Sequence, residues 1–146
     1  MENEDRYYRN SVVSKAFLKS AFWPASALVS CLVGFGLRLT ELGSQSLWLD
    51  EGATYAFAKL PAVELIAATF GREPNPPLYY LLVHAWIGLA GSNEFSLRFL
   101  SVLAGVITVA LVYRLGRESL SPAAGSGAAV LAAFSPYLIW YSQEAR

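Results

Sequence analysis

Two adjacent carboxylates, Asp50 and Glu51, follow the apolar triplet Leu47-Trp48-Leu49, and a third, Glu144, follows an aromatic run from Tyr137 to Tyr141. Carboxylates placed directly after apolar anchors suit a reaction at a membrane surface, on a substrate that has a lipid tail. A group carried on a lipid phosphate already has a good leaving group. The protein then needs a carboxylate to take a proton from an acceptor hydroxyl, and cations to hold the phosphate. Asp50 is the candidate base, with Glu51 beside it to orient the site. Arg72, Arg98 and Arg146 are candidate phosphate partners, because the guanidinium fork matches phosphate oxygens.

Each of these residues also has a plainer explanation. Asp50 could simply cap a helix, with Glu51 favoured in the first turn by the helix dipole. Glu94 and Arg98 stand four residues apart at a helix start, the spacing of a local ion pair. His84, alone on an apolar ring-rich segment, reads as a packed, hydrogen-bonded residue. Tyr79, Tyr80 and Trp86 could hold a lipid-linked substrate or form an interfacial belt.

The elements that must position these groups are dominated by apolar runs. The chain has 146 residues, 55% hydrophobic and 14% aromatic, which is too apolar for an ordinary soluble domain of this size. Basic and acidic residues balance at 11 each, and no basic run resembles a surface for nucleic acid. A single cysteine, Cys31, excludes an internal disulfide and a cysteine-rich metal site. The first apolar run is longer than a signal-peptide core and reads as an uncleaved anchor.

An all-α polytopic membrane protein with three crossings follows. Residues 1–20 form a cytoplasmic segment, and the crossings fall at about 21–38, 95–115 and 122–142. Lys19, Arg38, Arg98 and Arg114 sit at the ends of these runs, where their charges can reach headgroups, and Pro24 falls in the first turn. The external loop, about 39–94, carries short surface helices. In one, Leu49, Ala53, Phe57 and Leu60 share the apolar face while Glu51, Thr54 and Lys59 lie elsewhere. A second runs from Pro61 to Phe70 and ends at Gly71. A third, Leu78 to Ala90, is too short to span. Arg72 to Pro77 is a stiff connector.

Three crossings place Arg6, Arg9, Lys15, Lys19, Arg114 and Arg117 on one side, in short flanks that should be cytoplasmic. A fourth crossing through Leu78 to Ala90 would put Arg114 and Arg117 outside and separate Glu144 from Asp50. The last crossing begins with a small-residue surface, Ala123 to Ala129, suited to close helix packing. Ser135-Pro136 marks a kink in it.

Four ordered blocks carry a family resemblance: Ser46 to Glu51, Pro76 to Leu82, Glu94 to Arg98, and Ser135 to Arg146. Together they resemble the opening part of integral-membrane glycosyltransferases of the protein-O-mannosyltransferase and aminoarabinose-transferase type. The resemblance covers roughly Leu37 to Arg146. It implies inverting transfer from a polyprenyl-phosphate sugar to an acceptor hydroxyl on a lipid, glycan or protein, at the non-cytoplasmic face of the inner cell membrane. In it Asp50 matches the catalytic aspartate and Glu51 its acidic neighbour, while Glu144 and Arg146 open a second donor-lining loop. Tyr79 and Arg72 are expected to help bind the donor. Many relatives carry histidine where this chain has Asn75, which cannot shuttle a proton. The family has more crossings than three, so the chain is expected to be an N-terminal fragment, inactive alone. A divalent metal is not implied. The alternative from another class is a non-enzymatic membrane subunit or lipid-binding scaffold.

Overall fold

Apolar runs punctuated by Pro, Gly and Ser fold into helices joined by short connections. The computed structural model describes residues 2–70 and 76–145, and of residues 2–20 the backbone alone. Among these residues all regular structure is helical: α1 (Glu2–Leu39), α2 (Leu49–Ala58), α3 (Ala62–Thr69), α4 (Pro77–Ala90), α5 (Glu94–Ser119), α6 (Pro122–Phe134) and α7 (Pro136–Ser142). The expected ends at Gly71 and much of the 72–77 connector lie outside the described residues.

The chain is an all-α polytopic membrane protein. The Ala21–Leu39 part of α1 and the whole of α5 are long and apolar enough to cross a bilayer. The pair α6 and α7 has the same character only when taken together, and it bends by 58° at its break, the geometry of a broken span or of a re-entrant loop. At 14 residues, α4 falls short of a crossing. Helix α1 begins at Glu2, so Pro24 lies in its interior rather than in a first turn. Helix α5 outruns the expected 95–115 at both ends, with Asn93 accepting from Ser96 N at 2.7 Å as its N-cap.

Small residues let the spans approach closely, as expected of the Ala123 to Ala129 surface. A methyl group on Gly116 would stand 2.8 Å from Gly125 Cα, so backbone meets backbone where α5 crosses α6. Ser26 donates to Ser126 at 2.8 Å between α1 and α6. Val109, Ala129, Ala132 and Ala133 fill the core here, with Cys31 and Leu138 against them.

The break between α6 and α7 has a local cause. Pro136 has no N–H to offer the carbonyl of Ala132, four residues back, and the bend takes the next donor away as well. Arg38 fills the gap: Nη2 donates to Ala132 O and Nη1 to Ala133 O, both at 3.3 Å, while Nη1 also donates to Gly34 O at 2.9 Å and Nε to Ser142 Oγ at 3.1 Å. The expectation that Arg38 extends to the headgroups is therefore corrected; it is 0% exposed. The negative end of the α6 dipole and its unmet carbonyls hold the guanidinium inside. Space for it comes from Gly105, where a Cβ would come within 2.9 Å of Arg38 Nε.

Candidate active site

Helix α2 begins with Trp48 in an extended conformation as N-cap. The capping carboxylate is that of Glu51 at the third helical position, which accepts from Trp48 N at 3.0 Å. Asp50 is thus not the cap. It stands in the first turn with its side chain exposed. The buried face of the helix is formed by Glu51, Thr54 and Ala58, whereas Leu49 is 89% exposed, the reverse of the apolar face read from spacing.

Arg98 explains the inversion. Its Nε donates to Glu51 Oε1 at 2.8 Å and its Nη2 to Glu51 Oε2 at 2.7 Å. Nη1 donates to the carbonyls of Leu42 and Gln45, both at 2.9 Å, and Nη2 to that of Ser46 at 3.2 Å. A guanidinium has five N–H groups, and here each has a protein acceptor. Arg98 therefore holds the loop before α2 in place and is not open to a phosphate. The local pairing of Arg98 with Glu94 gives way to this contact, whose two side chains are 5% and 2% exposed. Arg98 consequently does not snorkel either.

Glu51 is equally saturated. Oε1 accepts from Arg98 and from Ala145 N at 2.9 Å, and Oε2 from Arg98 and Trp48 N. Burial pushes its carboxyl up, but the Arg98 guanidinium and the N–H groups of Ala145 and Trp48 outweigh it, so the group is held below the ordinary glutamate value. The bond from Ala145 brings the segment after α7 to the acidic pair. Asp50, Glu51 and Glu144 consequently line one small pocket together with Trp48. The acidic loop and the end of α7 therefore meet at one end of the helix bundle.

The other candidates are placed differently. Tyr79 donates or accepts at Ser101 Oγ, 3.1 Å away, and lines a separate apolar groove of about 600 Å³ with Arg38, Leu82, Leu100 and Ser142. Burial raises its phenol. His84 Nδ1 donates to Ala58 O at 2.7 Å, the packed role expected of it. Arg72, Asn75 and Arg146 lie outside the described residues. Among the described residues no three His, Cys, Asp or Glu side chains gather as metal ligands would. Sequence reasoning missed the burial of Arg98 and Arg38. The available signal was a charge just inside the end of each apolar run, where it needs a fixed partner.

Residues 74–145 match a family model described as dolichyl-phosphate-mannose-protein mannosyltransferase. An uncharacterized protein of Aquifex aeolicus (strain VF5) is 31% identical over 88 residues, which cover 56% of this chain and 18% of that relative. The chain thus spans less than a fifth of the length of the curated relative it matches. No solved structure matches it significantly. The matched segment includes α4 to α7. The acidic pair lies outside it, yet Glu51 is bonded into it through Arg98 and Ala145.

Proposed function

We propose that this chain carries catalytic groups of an integral-membrane glycosyltransferase that uses a polyprenyl-phosphate sugar as donor. The match over residues 74–145 supports glycosyl transfer in general terms and a multi-pass membrane setting. The finer reading concerns how the acidic residues divide the work. In it Asp50 removes the proton from an acceptor hydroxyl, and the acceptor oxygen attacks the anomeric carbon from the face opposite the phosphate. The bond from that carbon to the phosphate oxygen breaks with its electron pair, releasing the polyprenyl phosphate with inversion. Glu51 is a positioning residue, since all its acceptor capacity faces Arg98, Trp48 and Ala145. Arg72 and Arg146 are the proposed phosphate partners, with Tyr79 and Glu144 bordering the donor.

One observation carries the division of roles: of two adjacent carboxylates, Glu51 is locked and Asp50 is exposed at the pocket shared with Glu144. A base must meet its substrate, which supports Asp50 rather than Glu51 in that role. The clustering of Arg6, Arg9, Lys15, Lys19, Arg114 and Arg117 toward one side favours a cytoplasmic N-terminus and an external site in the inner cell membrane. The acceptor is a lipid, glycan or protein hydroxyl.

The test is transfer of radiolabelled sugar in membranes containing the full-length protein, with a panel of polyprenyl-phosphate sugars. Asp50→Asn should lower transfer by about 10²–10⁴-fold while insertion stays normal. Undiminished transfer by that variant would remove Asp50 from the role of base.

A further inference from the structure

A polar cleft of about 200 Å³ opens beside the Glu51–Arg98 pair, between the turn after α1 and the end of α7. Its lining includes Glu41, Gln45, Trp48, Trp140, Gln143 and Glu144. The volume lies below the roughly 300–1,000 Å³ of drug-sized sites, so it suits one small ring rather than a chain.

The lining selects among ligand classes. A phosphate would need a cation, but among the described residues the guanidinium bordering the cleft is that of Arg98, which has every N–H engaged by protein, and Glu41 and Glu144 would repel an anion. A hydrocarbon chain would find carboxylates and amides here, whereas the groove beside Tyr79 and Leu82 is the apolar one. A neutral sugar ring meets both features of the cleft. Its C–H face lies flat on an indole, and each hydroxyl both donates and accepts, which carboxylate and amide side chains satisfy in plane.

The two indoles are 65% and 61% exposed, yet the backbone beneath them is fixed. Trp48 N donates to Glu51, and Gln143 Nε2 donates to Thr40 O at 2.9 Å, fastening the end of α7 to the opposite wall. That wall is a tight turn around Glu41, which has φ of 56° and whose carbonyl accepts from Ser44 N at 3.0 Å. The backbone that carries the recognition groups is therefore held before a ligand arrives, which limits the ordering cost of binding to the side chains.

We infer that this cleft is a monosaccharide subsite, in which Trp48 and Trp140 stack on the ring and Glu41, Gln45 and Glu144 take its hydroxyls. The inference deepens the glycosyl-transfer reading and rests on it for the source of the sugar, which is either the donor's glycosyl group or a glycan acceptor.

Saturation-transfer NMR on the full-length protein in nanodiscs tests it, with methyl α-mannopyranoside, methyl glucoside and methyl galactoside as probes and glycerol phosphate as control. At least one pyranoside should bind at about millimolar concentration through its C–H protons, and glycerol phosphate should not. The Trp48→Ala, Trp140→Ala double variant should bind it at least about ten-fold more weakly. The corresponding double Phe variant, which keeps a ring at each position, should recover most of the affinity and guards against a folding artefact. Asp50→Asn should bind as the wild type does, so that loss of transfer and loss of sugar binding are separately visible. In that variant, displacement of the probe by a polyprenyl-phosphate sugar but not by bare polyprenyl phosphate assigns the subsite to the donor. Persistence of the probe assigns it to the acceptor. If no pyranoside binds, or the double Ala variant binds as well as wild type because the rings serve only as an interfacial belt, the inference is overturned.

Discussion

Arg98 and Glu51 meet at two points, 2.8 and 2.7 Å long, across 47 residues of chain. Replacing Glu51 with Gln leaves a buried guanidinium without its counter-charge, a change that typically costs about 3–5 kcal/mol. The thermal unfolding midpoint of Glu51→Gln should fall sharply and limited proteolysis should begin in the 40–48 turn. Arg98→Lys should also destabilise, because one ammonium cannot reach the acceptors that the planar fork serves. A midpoint unchanged in both variants would show that the pair does not hold the loop.

Acid should loosen the same contact. In the folded protein the Glu51 carboxyl titrates below its ordinary value, because the Arg98 guanidinium and two N–H groups overcome the effect of burial. A depressed carboxylate stabilises the fold above its unfolded value, about 4.3, and that contribution is lost as pH falls from there through the lower folded value. Unfolding measured from pH 6 downward should show this loss in the wild type and much less of it in Glu51→Gln. Identical pH profiles for the two proteins would contradict the assignment.

Asp50→Asn should behave in the opposite manner, affecting turnover but hardly affecting stability. Its side chain is exposed in the first turn of α2, where losing a negative charge from the positive end of the helix dipole costs under about 1 kcal/mol. Chemical denaturation of the variant in detergent should overlay the wild-type curve. A large shift would mean that Asp50 supports the fold as well as the proposed chemistry.

Gly105→Ala should damage the protein although the residue lies in the middle of a regular helix. The added methyl would run into Ser142 Oγ and approach Arg38 Nε, both part of the arrangement that closes the break between α6 and α7. Overpacking of this kind costs about 1–3 kcal/mol. Gly36→Ala, where a Cβ meets nothing within 4 Å, is the matched control and should be neutral or mildly stabilising. Equal midpoints for the two variants would argue against close packing at Gly105.

The broad architecture was readable because it depends on run length and punctuation. The uncharged stretch after Lys19, the Ser135-Pro136 kink and the small-residue face from Ala123 each reappear as a helix, a bend and a close crossing. Distribution of positive charge led to an arrangement of three crossings, which is compatible with Asp50 and Glu144 lining one pocket. What stayed hidden depends on contacts between distant residues. Glu94, four residues from Arg98, is the partner that local spacing suggests, and nothing local indicates that Glu51 is the partner used. Once that pair is buried, the face of α2 carrying Glu51 and Thr54 must turn inward and Leu49 outward, so an amphipathic reading points the wrong way. Arg38 was misjudged for a related reason: its acceptors are carbonyls that exist as free groups only because Pro136 breaks the last span.

The partners of Glu51 also impose an order on how this end of the protein is built during synthesis. The loop is made first, Arg98 emerges 47 residues after Glu51, and Ala145 follows 94 residues after it. Until α5 has been threaded with Arg98 at the same side as the loop, Glu51 has no counter-charge. Until α6 and α7 have followed, Oε1 lacks its second donor. An insertion of α5 that left Arg98 away from the loop would strand both charges, so the ion pair favours the arrangement in which they meet.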